Sequence, residues 1–232
     1  MRMSKRKGSN YETIIRELRS LRNPENKRGM ARYGLNSPGT LGICMPDLMR
    51  IAKRTGKDHE LAQRLWDSGI FEARILAFMI DEWRLVTEQQ MEHWAEGFDN
   101  WGIVDGCCGH LFDKTPFAYK KAAEWSGRKE EFVKRAGFTM MATLTVHDKK
   151  AEDEKMRRFL PLILKGATDD RKYVSKSVNW ALRQIGKRNI SLNREAIKLA
   201  KRISKIGSTS AKWIASDALR ELRSEKVQRR FR

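Results

Sequence analysis

From residue 10 onward, apolar side chains recur at spacings of three and four, interrupted by short Gly, Pro, Asn and Asp breaks. That periodicity belongs to helices, and β-branched runs are too short to indicate strands. It predicts helices near 10–22, 26–34, 46–55, 58–67, 70–83, 87–98, 101–112, 116–126, 130–145, 152–166, 170–187, 192–205 and 210–223. Several starts carry their own signals. Thr87 with Gln90 reads as a capping box, Thr115 precedes Pro116 at a first helical position, and Ser191 precedes an acid-containing first turn.

Late in the chain the pattern repeats. Ala181-Leu182-Arg183-Gln184-Ile185 returns as Ala218-Leu219-Arg220-Glu221-Leu222, and Phe132-Val133 as Tyr173-Val174. Intervals of roughly 40 residues, each holding two helices, suit HEAT-like repeats. The predicted fold class is therefore all-α, a HEAT-like helical-repeat solenoid with a concave basic surface. A basic flexible tail over 1–9 precedes a single domain over 10–232.

Charge changes the picture from fold to partner. The chain's 232 residues carry 48 Lys and Arg against 29 Asp and Glu, a net charge of +19. A folded protein so charged repels itself, and a polyanion relieves the repulsion. Nucleic acid is the natural polyanion, because neutralised phosphates release condensed counterions. Cys44, Cys107 and Cys108 make no disulfide framework and, with four histidines, no zinc-ligand spacing. All three read as reduced core thiols. No long apolar run predicts a membrane span, and Met1–Gly8 lacks the apolar region of a secretory signal. The expected location is cytoplasmic, without metal or cofactor.

The helix at 170–187 places Val174, Val178, Ala181, Leu182 and Ile185 on one stripe. Lys172, Lys176, Asn179, Arg183 and Lys187 fall on another, and Trp180 lies within that cationic stripe. An indole among donors is either covered by an adjacent repeat or offered to a nucleotide between phosphate-binding cations. The last helix repeats the arrangement without the tryptophan, with Lys212, Ser216, Arg220 and Arg223 on one face and Ile214, Ala218 and Leu222 opposite.

Residues 101–112 hold the candidate chemistry. Val104, Cys107, Cys108 and Leu111 build an apolar stripe, and Trp101 and Asp105 stand one turn apart at its edge. Gly102, Gly106 and Gly109 each cost about 1 kcal/mol of helix stability relative to Ala. Two compensations remain open: tight helix–helix packing, or close approach of a ligand to Asp105. Over 130–145 nearly every face is apolar, so Arg135 needs a partner, either a carboxylate or a phosphate.

Together these segments resemble the AlkD-like DNA alkylation repair family over about Arg32 to Arg223. The resemblance rests on Met30-Ala31-Arg32-Tyr33, Trp101-Gly102-Ile103-Val104-Asp105, Phe132-Val133-Lys134-Arg135-Ala136 and Val178-Asn179-Trp180-Ala181-Leu182-Arg183, in that order. It implies a HEAT-like solenoid that removes 3-methyladenine and 7-methylguanine from duplex DNA, without metal, cofactor or extrusion of the base. Asp105 is then the catalytic carboxylate, with Trp101 beside the deoxyribose and Arg135 holding the backbone near the lesion. Trp180 meets the sugar from the other side, and Tyr33 matches a further lesion-facing aromatic. The three glycines and the Cys107-Cys108 pair depart from the family's enzymes. The family also includes paralogues without glycosylase activity that bind branched or distorted DNA.

The implied chemistry suits this inventory. Alkylation at N3 or N7 makes the purine a cation that leaves neutral, so no strong general acid is required. One carboxylate can steady the oxocarbenium-like sugar and orient the attacking water. The expected partner is duplex DNA, alkylated above all, bound by a monomer through Lys172, Lys176, Arg183, Lys187, Lys212 and Arg220. Two other readings stand beside this one: a non-catalytic binder of branched DNA, and a HEAT-like scaffold for acidic or RNA-associated proteins.

Overall fold

A computed structural model describes residues 10–231; the tail predicted over 1–9 lies outside the described residues. Among the described residues all regular structure is helical. Contacts gather it into two compact units, which meet in sequence between Leu111 and Phe112.

The first unit comprises α1 (Tyr11–Ser20), α2 (Pro24–Arg32), α3 (Met45–Thr55), α4 (His59–Asp67), α5 (Phe71–Ile80), α6 (Glu88–Glu96) and α7 (Trp101–His110). Its centre is α5, whose sequence is apolar on nearly every side and which packs against α1, α3, α4 and α7. Phe71, Ile75, Leu76, Phe78 and Ile80 are all buried. Each such side chain contributes about 1.5–3 kcal/mol when removed from water.

The second unit opens with a 3-10 turn at Phe112–Lys114 and continues with α8 (Ala118–Ser126), α9 (Glu131–His147), α10 (Asp153–Arg157), α11 (Leu160–Gly166), α12 (Lys172–Gly186), α13 (Ile190–Ile203), α14 (Thr209–Leu222) and α15 (Glu225–Gln228). Its helices pair in sequence: α8 with α9, α11 with α12, α13 with α14. Across the pairs, α9 packs on α12 and α12 on α14. The repeated aromatic positions meet directly, with the Phe132 and Tyr173 ring centroids 5.3 Å apart. Arg188 closes the end of α9, its guanidinium donating to the carbonyls of Thr145, Asp148, Lys149 and Ala151 at 2.7–3.2 Å. Those acceptors include carbonyls that the last helical turn leaves without intrahelical partners.

Short polar side chains start the helices. Asn10 caps α1, Asp58 α4, Asn100 α7 and Ser208 α14, each accepting a backbone N–H three residues on. Such a cap contributes about 1 kcal/mol. Thr87 caps α6 through the Gln90 amide, but the Gln90 side chain donates to Asp81 at 2.6 Å instead of reaching back, so the box is half made. Four expectations need correcting. The segment 152–166 is two helices, because Pro161 sits in the first turn of a new one. Pro116 does not open α8; Thr115 turns its hydroxyl to the Phe112 carbonyl, and the helix begins at Ala118. Asn189, not Ser191, caps α13. Cys107 and Cys108 are buried thiols, but Cys44 is exposed ahead of α3 and donates to Asp47.

Where paired helices press closest, a side chain is missing. A Cβ on Gly137 would lie 2.3 Å from the Ser126 backbone nitrogen, so α9 touches the main chain of α8. A Cβ on Gly29 of α2 would meet nothing within 4 Å. Thermal unfolding should separate the two. Gly137→Ala is expected to lose about 1–3 kcal/mol through overpacking against backbone. Gly29→Ala should gain about 1 kcal/mol through helix propensity.

Candidate active site

Helix α7 carries the residues singled out for chemistry, and its start is fixed from two directions. The Asn100 side-chain oxygen accepts the Ile103 amide at 3.0 Å, while its Nδ2 donates to Ser37 Oγ at 3.0 Å. Val104, Cys107 and Cys108, with Leu111 just beyond the helix, are fully buried and hold the apolar side of α7 in the unit's core. That anchoring leaves the edge of this side at the surface, where Trp101 and Asp105 are both partly exposed one turn apart.

Both line a cleft of about 1210 Å³ within the first unit. Its floor is apolar, with Phe71, Ile75 and Phe78 from α5 and Ile43 from the loop before α3. Its far wall is α2, which buries none of its residues and presents Arg28, Arg32 and Tyr33 at or near its end. Tyr33 is 75% exposed, so its ring is available to a ligand. The cleft thus brings Tyr33, Trp101 and Asp105 together, in a wall that also holds His110.

Two bonds keep the α2 wall in place. At one end the Trp101 indole N–H donates to the Tyr33 carbonyl at 2.8 Å, which orients the indole and ties the end of α2 to α7. At the other, the Asn23 amide donates to the Leu41 carbonyl at 2.9 Å. The loop supplying that carbonyl is clamped by Glu72, a fully buried carboxylate that accepts the amides of Leu41, Gly42 and Ile43 at 2.9, 2.7 and 3.2 Å. Gly42 has a φ of +87° and packs against the Asn23 carbonyl, so no other residue fits there. Sequence reasoning missed Glu72, whose partners lie some thirty residues earlier. An acid in the most apolar helix of the chain was the available signal.

The two compensations weighed for the glycines resolve toward packing at two of them. A Cβ on Gly106 would fall 2.2 Å from the Phe78 ring, and one on Gly102 would fall 3.0 Å from Leu35.

In the second unit Arg135 is buried at 6% exposure and donates Nη1 to the Tyr173 carbonyl at 2.8 Å, linking α9 to α12. The predicted apolar stripe of α12 is buried throughout. Its cationic stripe divides in two. Lys172 and Lys176 are exposed and Trp180 is half-buried. Arg183 pairs with Glu221 and Asp217, and Lys187 with Glu221 at 2.7 Å, so these two cations are partly neutralised within the fold. The Glu221 carboxyl is desolvated, yet Lys187 and Arg183 outweigh that and hold it below its ordinary range. On α14, Lys212 is exposed and the exposed Arg220 is bonded to Asp217. Asn179, placed with the cations by sequence, is buried and donates to Asp217 at 2.7 Å. Trp213, 42% exposed on the same helix, belongs to neither the cationic face nor the apolar stripe read there and so escaped notice. Among the described residues no group of three His, Cys, Asp or Glu could hold a metal, and no helix is long and apolar enough to cross a membrane.

The Trp101–Tyr33 bond can be tested without activity. Trp101→Phe keeps an aromatic ring and loses one donor, worth about 1 kcal/mol. Amide hydrogen exchange in α2 should quicken by about fivefold while global unfolding barely moves. Unchanged exchange in α2 would show that the bond does not hold that wall.

Comparison with known proteins places the chain. A protein of Listeria innocua serovar 6a, the uncharacterized protein Lin0241, is 24% identical over 210 residues, spanning 87% of this chain and 92% of its own length. A solved structure from a new family of proteins related to the HEAT-like repeat DNA glycosylases, with affinity for branched DNA structures, matches at a TM-score of 0.75 and 18% identity, over 91% of this chain and 95% of its own. The predicted all-α, HEAT-like fold is therefore the fold observed. Residues 14–222 match the DNA alkylation repair enzyme family. With nine-tenths of its length inside that match, the chain belongs to the DNA alkylation repair enzyme family.

Proposed function

We propose that this chain is a DNA glycosylase that hydrolyses the N-glycosidic bond of cationic alkylpurines, 3-methyladenine and 7-methylguanine, in duplex DNA without extruding the base. One observation carries the reading: Asp105 and Trp101 stand one turn apart on α7, both partly exposed, on the wall of one open cleft.

The reaction asks little of the protein. The bond from C1′ to the purine nitrogen breaks, and its electron pair neutralises the positive charge already on the ring. Positive charge develops on the sugar instead, where the Asp105 carboxylate steadies it. Water adds to C1′ and gives its proton to Asp105, which passes it to solvent. The Trp101 indole face, oriented by its bond to Tyr33, favours the same cation. In this reading Lys172, Lys176 and Lys212 neutralise phosphates, while Arg135, buried on the Tyr173 carbonyl, holds α9 to α12. Arg183, Lys187 and Arg220 contribute less, since each shares its charge with an acid of α14.

A second reading has its own support. The solved structure described above comes from a family with affinity for branched DNA. A protein of that kind would use the basic helices without chemistry at Asp105.

Two measurements test these roles. Asp105→Asn should abolish release of free 7-methylguanine from methylated duplex while changing DNA affinity by less than about threefold. Equal release by the two proteins removes Asp105 from the mechanism, and no release by either leaves the branched-DNA reading. Lys176→Ala should weaken binding to all duplexes alike and lower the slope of log K against log salt by about one. An unchanged slope would mean that Lys176 meets no phosphate.

A further inference from the structure

The ladder between α12 and α14 fixes their register. Asn179 bonds Asp217, Arg183 reaches both Asp217 and Glu221, and Lys187 reaches Glu221. The two helices therefore run in the same direction, with positions 179 and 217 level. One turn earlier, the same register sets Trp213 of α14 level with Lys176 of α12. Both are exposed, and Trp180 lies one turn farther along α12. Lys212 adjoins Trp213 in sequence and is also exposed.

The acids nearest this spot are already engaged. Asp217 serves Asn179, Arg183 and Arg220, and Asp170 accepts the Ser210 amide. Neither Lys176 nor Lys212 belongs to an ion pair among the described residues. The result is a large aromatic surface in water, bordered by cations that no acid neutralises. An indole this exposed leaves apolar area unburied, and its surroundings favour an anionic partner that carries flat rings.

We propose that Trp213, flanked by Lys176 and Lys212, is a stacking platform for an unpaired nucleotide of DNA. A base inside an intact duplex has both faces covered by its neighbours, so an indole on a helix surface cannot reach one. At a gap, a flap or a branch a base face is open, and the adjoining phosphates reach the lysines. Stacking of this kind tolerates any base. The platform therefore gives preference for DNA structure rather than sequence. It rests on the chain's being a DNA-binding protein and not on excision at Asp105.

Binding to undamaged DNA tests it, so the result is separate from any glycosylase activity. Fluorescence anisotropy would compare a duplex carrying a short single-stranded thymidine gap with the same duplex intact. Trp213→Ala should weaken binding to the gapped DNA by about tenfold and to the intact duplex by less than about twofold. Trp213→Phe, which keeps a ring, should recover most of the loss. Lys176→Ala should weaken both. Equal loss on both DNAs, no loss on either, or failure of Phe to rescue would each overturn the platform. Because Trp213 is at the surface, a matched unfolding curve for each variant confirms that binding alone has changed.

Discussion

Helices in this protein come together through missing side chains. Gly106 admits the Phe78 ring, Gly166 the Phe138 ring, and Gly186 the Leu222 methyls, while Gly137 lies directly on the α8 backbone. Each contact would be too short for a Cβ, so each fixes the separation and rotation of the helix that carries the glycine. The rotation sets which side chains each helix exposes. Once Gly106 is locked against α5, the edge of α7 bearing Trp101 and Asp105 has to face the cleft. Once Gly186 is locked against α14, the Lys172–Lys176–Trp180 edge of α12 has to face water. The helix propensity given up at Gly106 and Gly137, inside their helices, about 1 kcal/mol apiece, is the cost of that placement.

On this frame the two units do different electrostatic work. In the first, a partly exposed carboxylate sits over an apolar floor, a setting in which its charge is less screened than in bulk water. A second carboxylate in that unit, Glu72, is satisfied by backbone amides and shapes the loop behind the cleft. In the second unit, acids of α14 neutralise the cations near the middle and end of α12, leaving uncommitted lysines toward its start. Net charge draws the protein to a polyanion, but this local pairing decides which cations can meet it.

Much of this was legible in the sequence because it depends on local pattern. The apolar stripes of α7 and α12, the start of α6 at Thr87, and the pairing of helices at intervals of roughly 40 residues follow from periodicity and capping. So did the exposed edge shared by Trp101 and Asp105. What stayed hidden depends on contacts distant in sequence. The spacing of three and four continues across Pro161, so one long helix was expected where two exist. Arg183 and Lys187 looked uncommitted because Asp217 and Glu221 lie on another helix. Arg135 needed a partner, and the Tyr173 carbonyl could be identified only once α9 lay against α12. Cys44 resembled the other two thiols by residue type alone, and its place ahead of α3 put it in solvent.

The central claim is that a single carboxylate suffices because the leaving purine already bears a positive charge. Its most direct test offers the wild-type protein two lesions in the same duplex context, 7-methylguanine and the neutral O6-methylguanine, and measures the free base released from each. The account predicts release of the cationic base and none of the neutral one above the uncatalysed rate. Comparable release of both would mean that the protein activates its leaving group, and the mechanism assigned to Asp105 would be wrong.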